Sequence, residues 1–215
     1  MEEYFLGEIN LKIIAKNYDF TKVKGLSMKQ LTQHYKLYEG YVSKTNEIYN
    51  IINNTPKFME GNQTYSKLRA LLKGQSFALD GVKLHQLYFQ NICLNNSEYK
   101  VPSIPYEILE RLENDFYGCE RFVDLFTKSA LSVRGWVVVA LEPIDNKLHI
   151  YGCDAHDEGG IWNSIPILVL DVYEHAYMID FGIDRKAYID TFLKTINWDV
   201  VKRRLLKAEQ LLKIT

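Results

Sequence analysis

The chain has 215 residues, 47% of them hydrophobic and 25% charged, with a formal net charge of -1. That is enough for a real core in one large domain or two small ones, and the near-neutral balance gives no reason to expect nucleic acid or a membrane surface as partner. The cysteines, Cys93, Cys119 and Cys153, are odd in number, widely spaced and without a C-x-x-C pair, so neither a disulfide framework nor a thiolate metal site is expected and a reducing cytoplasm is the natural setting.

Residues 1–26 read as an irregular arm. Its acidic start lacks the basic and apolar regions of a signal peptide, and no run in the chain approaches the ~18 apolar residues of a membrane span. "SMKQLTQHYKLYEGYVSKTNEIYNII" (27–52) predicts a long helix with Ser27 as N-cap, and Leu31, His34, Tyr38 and Tyr41 share one face. "NNTPKFMEGNQ" (53–63) is a loop by its Asn, Pro and Gly. A second long helix is expected over about 64–94, with an interruption near Gly74 and a face of Phe77, Gly81, His85, Tyr88 and Ile92. The two make a helical hairpin. "SEYKVPSIPY" (97–106) carries two prolines and reads as a linker, which divides the chain into a helical hairpin domain, 1–98, and a second domain, 99–215.

Two shorter helices follow, about 105–115 and 118–130. Then "GWVVVALEP", "KLHIYGCDA" and "IPILVLDVY" read as strands, the first two joined by a turn at "PIDNK". "DRKAYIDTFLKT" and "NWDVVKRRLLKAEQLL" predict two closing helices; "VKRR" (201–204) reads as a solvated face rather than a nucleic-acid patch. The fold class is α+β, an N-terminal long α-hairpin followed by an α/β domain with a three-stranded antiparallel sheet. There is no internal repeat.

Asp171 closes the apolar run "IPILVLDV", where a charge is costly unless it is paired or binds a metal. Five histidines are present, at 34, 85, 149, 156 and 175. Singly, a histidine on an apolar face is an ordinary hydrogen-bonded core residue. Together, one histidine from each hairpin helix, Asp171 at a strand end and His175 four residues on make a set of three imidazoles and a carboxylate. Such a set suits Fe, Mn, Zn or Cu. A zinc hydrolase would need a placed general base, which no motif offers, and an iron oxygenase more often uses two histidines and one carboxylate. His149, in mid-strand without an assigned partner, reads as structural.

"DVYEHAYMIDF" followed by "YIDTFLKTINWDVVKRRL" resembles the C-terminal signature of the iron/manganese superoxide dismutases. "LSMKQLTQHY", "GVKLHQLYF" and "RGWVVVAL" are similar to the family's first-helix, second-helix and first-strand segments, in the same order. The resemblance implies that His34, His85, Asp171 and His175 hold one Fe or Mn ion per subunit and that the chain converts superoxide to dioxygen and hydrogen peroxide in the cytoplasm. In the family a Gln or His outside the ligand set hydrogen-bonds the solvent beside the metal. His156 matches that group, while Gly81 occupies the helix position where iron-type members place the Gln. Tyr41 would be the gateway tyrosine. Lys22, Lys24, Lys29 and Lys36 offer positive charge that would steer the anion toward the site, though each by itself reads first as a solvated surface lysine. Glu174 would bridge to the ligand histidine of a second subunit, with Tyr177 at the same interface, in a homodimer or tetramer. The alternative is a dismutase-fold metalloprotein with weak or lost activity.

Three positions, and the inter-helix segment "NNTPKFMEGNQ" (53–63), depart from the family pattern. Tyr41 follows His34 by one residue fewer than usual, which would remove a bulge common in that helix and leave it regular. Tyr38 stands where a histidine is common, which puts the usual proton relay across the dimer in doubt. Tyr173 replaces the motif's tryptophan and brings a hydroxyl that needs a partner if buried.

Overall fold

The computed structural model describes residues 12–58, 60–92 and 104–213. The expected domain division between 98 and 99, and Cys93, lie outside the described residues.

Helix α1 spans Met28–Asn53 and α2 spans Lys67–Ile92. Ser27 caps α1, its Oγ accepting the N–H of Gln30 at 3.1 Å. α2 starts three residues later than its apolar pattern predicts because Ser66 does the same for Arg69 (3.1 Å). α2 is not interrupted at Gly74. A β-carbon there would come within 3.3 Å of Ile48 Cδ1, so the glycine lets the two helices approach closely. The buried stripe of α1 holds Leu31, His34, Tyr38 and Val42; Tyr41 is only partly covered. On α2 it holds Ala78, Gly81, Val82, His85, Tyr88, Phe89 and Ile92. Phe77, expected on that stripe, lies at its edge and is exposed.

Helices α3 (Tyr106–Phe116) and α4 (Cys119–Ser132) lead into β1 (Trp136–Glu142), β2 (Lys147–Cys153) and β3 (Ile165–Asp171). The sheet order is β2-β1-β3, with β1 antiparallel to both neighbours. β1 is buried along its whole length, as its "WVVVAL" run requires of a central strand. β2 and β3 therefore run parallel to each other and leave the sheet at the same end. Trp136, the first residue of β1, is opposite Cys153 on one side and Asp171 on the other. That shared exit positions the site.

Beyond β3 the chain makes a 3-10 turn, Glu174–Ala176, and a four-residue helix α5, Met178–Phe181, before α6 (Arg185–Thr195) and α7 (Trp198–Leu212). The turn and α5 are too short to show a period in sequence. Hairpin and sheet are joined by buried polar ties. Asn91 of α2 donates to the Val169 carbonyl (2.7 Å). From α7, the Arg204 guanidinium donates to the carbonyls of Ile167 (3.0 Å) and Leu87 (3.0 Å) and to Gln90 Oε1 (2.8 Å). Burial pulls its pKa down to about 10, so it remains a cation held by neutral acceptors. Among the described residues no helix is long and apolar enough to cross a membrane.

Candidate metal centre

His34 reaches the centre from the middle of α1 and His85 from the middle of α2; neither ring is exposed. Asp171 comes from the last residue of β3, and His175 from the 3-10 turn. The four side chains offer one donor atom each, and these atoms all lie within 4.8 Å of one another. Asp171 Oδ2 is the hub. It is 3.0 Å from His34 Nε2, 3.2 Å from His175 Nε2 and 3.7 Å from His85 Nε2. The charge at the end of the apolar strand is thus met by three imidazoles, two from the hairpin and one from the turn.

The protonation chemistry of the four favours a cation. Burial alone would push the Asp171 carboxyl up, but the neighbouring His175 and the hydrogen bonds from His175 and His34 outweigh it and hold the group far below the usual carboxylate range. Burial pushes His85 down to about 3 and also lowers His34, so both rings are neutral. His175 goes the other way: burial opposes its charge, yet Asp171 raises it on balance. His85 Nδ1 lies 2.6 Å from the Gly81 carbonyl, which can only accept, so Nδ1 carries the proton and Nε2 presents its lone pair inward. That Nε2 is buried and has no hydrogen-bond partner among the described residues, as is His34 Nδ1. A buried nitrogen lone pair left without a donor, beside an ionised carboxylate, fits a metal ion.

Several groups hold this set in place. The backbone N–H of Tyr173 donates to Asp171 Oδ1 (2.9 Å), and the Tyr188 hydroxyl donates to the Asp171 carbonyl (2.7 Å). Gln30, one turn before His34 on α1, donates from Nε2 to the His175 carbonyl (2.6 Å) and accepts the N–H of Ile179 at Oε1 (3.0 Å). Gln30 and Tyr188 went unnoticed in sequence. Gln30 could have been found, since it lies on the same buried face as His34; nothing local marks Tyr188.

His156, three residues past β2, is buried beside the cluster. Its Nδ1 is 2.8 Å from Trp136 Nε1, and because an indole nitrogen only donates, Nδ1 is the acceptor. Burial lowers its pKa, so the ring is neutral with its proton on Nε2. Tyr41 meets it edge-on, with ring centroids 4.7 Å apart, and lies 5.3 Å from His85. α1 runs as one α-helix from His34 through Tyr41, and the shortened spacing still turns Tyr41 to the cluster. A β-carbon on Gly81 would come within 2.9 Å of the Tyr41 ring, so the glycine is what admits that ring against α2. Burial and Asp171 raise the Tyr41 pKa and keep its hydroxyl protonated.

The remaining sequence candidates fall as follows. Tyr38 is fully buried, and its hydroxyl accepts from the Lys16 N–H (2.8 Å) and Gln86 Nε2 (3.0 Å), so it is occupied within its own chain. Glu174 is exposed on the 3-10 turn. Tyr177 is buried, stacked on Tyr188 with ring centroids 5.1 Å apart. His149 does have a partner, contrary to expectation: the β-turn brings Asp145 Oδ2 within 2.8 Å of its Nε2, at a solvent-exposed edge away from the cluster.

Comparison with known proteins gives a consistent result. The sequence model of the C-terminal domain of iron/manganese superoxide dismutases matches residues 105–204. The chain is 36% identical over 190 residues to a superoxide dismutase [Fe] of Aquifex aeolicus, covering 86% of this chain and 87% of that protein. It is 33% identical to a superoxide dismutase [Fe] of Pyrobaculum aerophilum, with 81% of each chain covered. A superoxide dismutase [Mn] 1 of Halobacterium salinarum is 27% identical over 95% of this chain and 98% of its own length.

Proposed function

The chain belongs to the iron/manganese superoxide dismutases, an oxidoreductase family, and from that premise we propose that it converts superoxide to dioxygen and hydrogen peroxide with one Fe or Mn ion held by His34, His85, Asp171 and His175. The observation that carries this reading is the convergence of three imidazole nitrogens on Asp171 Oδ2, with the His85 Nε2 lone pair buried and unpartnered among the described residues. When bound there, an Fe or Mn ion would supply the one-electron redox couple that the reaction needs, held by His34, His85, Asp171 and His175.

The protein's part is to hold the donors and to manage two protons. Burial keeps His34 and His85 neutral, and therefore able to bind. Tyr173 N–H, the Tyr188 hydroxyl and Gln30 fix Asp171 and the His175 backbone. His156 holds a proton on Nε2, because Trp136 occupies Nδ1, and Tyr41 holds one on its hydroxyl. These two groups, in edge-to-face contact beside His85, are the proton-holding pair of the site. The exposed Glu174 on the turn that carries His175 supports a bridge to a second subunit. Met178, Ile179 and Ile183, all exposed just beyond it, supply apolar surface for such an interface. Tyr177, buried beneath that surface against Tyr188, would support the interface from below. Free Cys119 and Cys153 suit a reducing cytoplasm.

The test is the dismutation rate per bound metal on purified protein, with Fe, Mn and Zn measured in the same sample. Turnover that tracks Fe or Mn occupancy and is lost in His85→Ala is the expected result. Full Fe or Mn occupancy with negligible turnover would overturn it and leave a metalloprotein that has kept the fold alone.

A further inference from the structure

Tyr173 stands where the family motif has tryptophan, and its hydroxyl is put to use. It donates to the carbonyl of Asp154, at 3.2 Å. Asp154 is the first residue after β2, two before His156; Tyr173 is the second after β3, two before His175. The bond therefore joins the two strand exits on either side of Trp136. The Tyr173 ring stacks on His175, with centroids 5.1 Å apart and planes 17° apart, and meets His156 at 5.3 Å.

The neighbourhood is built to seat that ring. Gly135 sits between the exits: its N–H donates to the Cys153 carbonyl (3.0 Å), and its own carbonyl accepts from Val172 N–H (2.8 Å). A β-carbon at Gly135 would lie 3.1 Å from Tyr173 Cε2, so the phenol packs directly over the start of β1. Asp154 is held from its other side as well, its Oδ1 accepting the Arg134 N–H (2.9 Å). A phenylalanine would fill the same space and stack equally well on His175. What only tyrosine adds is the link to the loop that carries His156.

We propose that Tyr173 is a positioning residue: its hydroxyl bond to the Asp154 carbonyl locks the His156 loop against the His175 turn and so keeps the His156 imidazole on Trp136. The consequence for turnover rests on the proposed role of His156 in dismutation; the positioning itself does not.

The measurement is hydrogen exchange of the Trp136 indole N–H by NMR, in the full chain loaded with diamagnetic zinc, with the signal assigned by loss in Trp136→Phe. His156→Ala sets the exchange rate of an indole with no acceptor. In Tyr173→Phe the indole N–H is expected to exchange about fivefold faster, the population change that loss of one net hydrogen bond supports, while the backbone amides of Val138 and Val139 exchange as in the parent. An unchanged indole rate would overturn the proposal. So would equal acceleration of the Val138 and Val139 amides, which would mean a general loosening. Because the readout needs no turnover, an inactive parent protein would count against the dismutase reading and leave this result standing.

Discussion

In the helical hairpin, His34 and His85 project from the middles of 26-residue helices and no part of either side chain is exposed. At the sheet end, Asp171 is equally buried, but His175 rides on a three-residue 3-10 turn and keeps 27% of its side chain open to solvent. The hairpin donors are placed by continuous backbone hydrogen bonding and by the packing of two apolar stripes. The sheet-end donors are placed by individual bonds from elsewhere: Gln30 from α1, Tyr188 from α6 and Tyr173 from the turn itself. One half of the site is stiff because of what it is part of; the other is stiff because of what it touches. A change on the hairpin side should therefore act through one donor at a time, whereas a change at the sheet end should spread.

The largest effect is expected at the hub where the halves meet. Asp171→Asn keeps the shape and removes the charge that all three histidines face, and metal affinity should fall at least ~100-fold, beyond the loss typical of partners outside the ligand set. Metal titration with a competing chelator measures it, and retention of affinity would show that the histidines alone suffice.

Next is the link between the halves. Gln30→Ala strips the His175 carbonyl and the Ile179 N–H of their partner, and should cost ~1–3 kcal/mol of stability in urea unfolding. Metal affinity should drop by roughly tenfold, because the His175 turn is freed. A stability loss with unchanged metal affinity would mean that the turn holds its own shape.

Acid should separate the halves without a mutation. In the metal-free protein His34 and His85 have folded pKa values below that of the unfolded chain, so the unfolded state binds more protons and their contribution is lost as pH falls from ~6.5 towards the folded values, about 3 for His85. His175 is raised, so its contribution is present at low pH and is lost as pH rises through its folded value. Asp171 is held far below its ordinary range, so its contribution is lost progressively as pH falls below ~4, where the unfolded carboxyl takes up its proton, towards the folded value. With two hairpin histidines against one at the sheet end, unfolding free energy of the metal-free chain should fall between pH ~7 and ~4. A rise over that interval would mean that the His175–Asp171 pair dominates.

The smallest effect marks the edge of the comparison. His149→Ala breaks an exposed, solvent-screened pair with Asp145 and should leave both the urea-unfolding midpoint and the metal content unchanged. A loss of metal on this change would show that the β1–β2 edge is coupled to the centre.

The contrast also explains what could be read in advance. Two long helices with apolar stripes have a period, so the hairpin and the placement of His34 and His85 on its inner faces were legible. So was the sheet, from three short β-branched runs. Asp171 and His175 were legible through a local motif. Gly74 and Phe77 were misjudged because helix propensity and a stripe count ignore how closely the partner helix approaches. The partner of His149 was missed because it arises from a turn that only register defines.

Sequence by itself determined the element types, the fold class and which four side chains to look for as a cluster, because hydrophobic periodicity and short motifs are local properties of the chain. Tertiary structure decided that the three imidazoles converge on Asp171 Oδ2 and that Gly81 makes room for Tyr41. It also decided that Trp136 sets the tautomer of His156 and that Gln30 and Tyr188 hold the strand exit. Those facts depend on groups far apart in the chain meeting within hydrogen-bond distance, as the Gln30 side chain and the His175 carbonyl do across 145 residues, and no local pattern encodes that meeting.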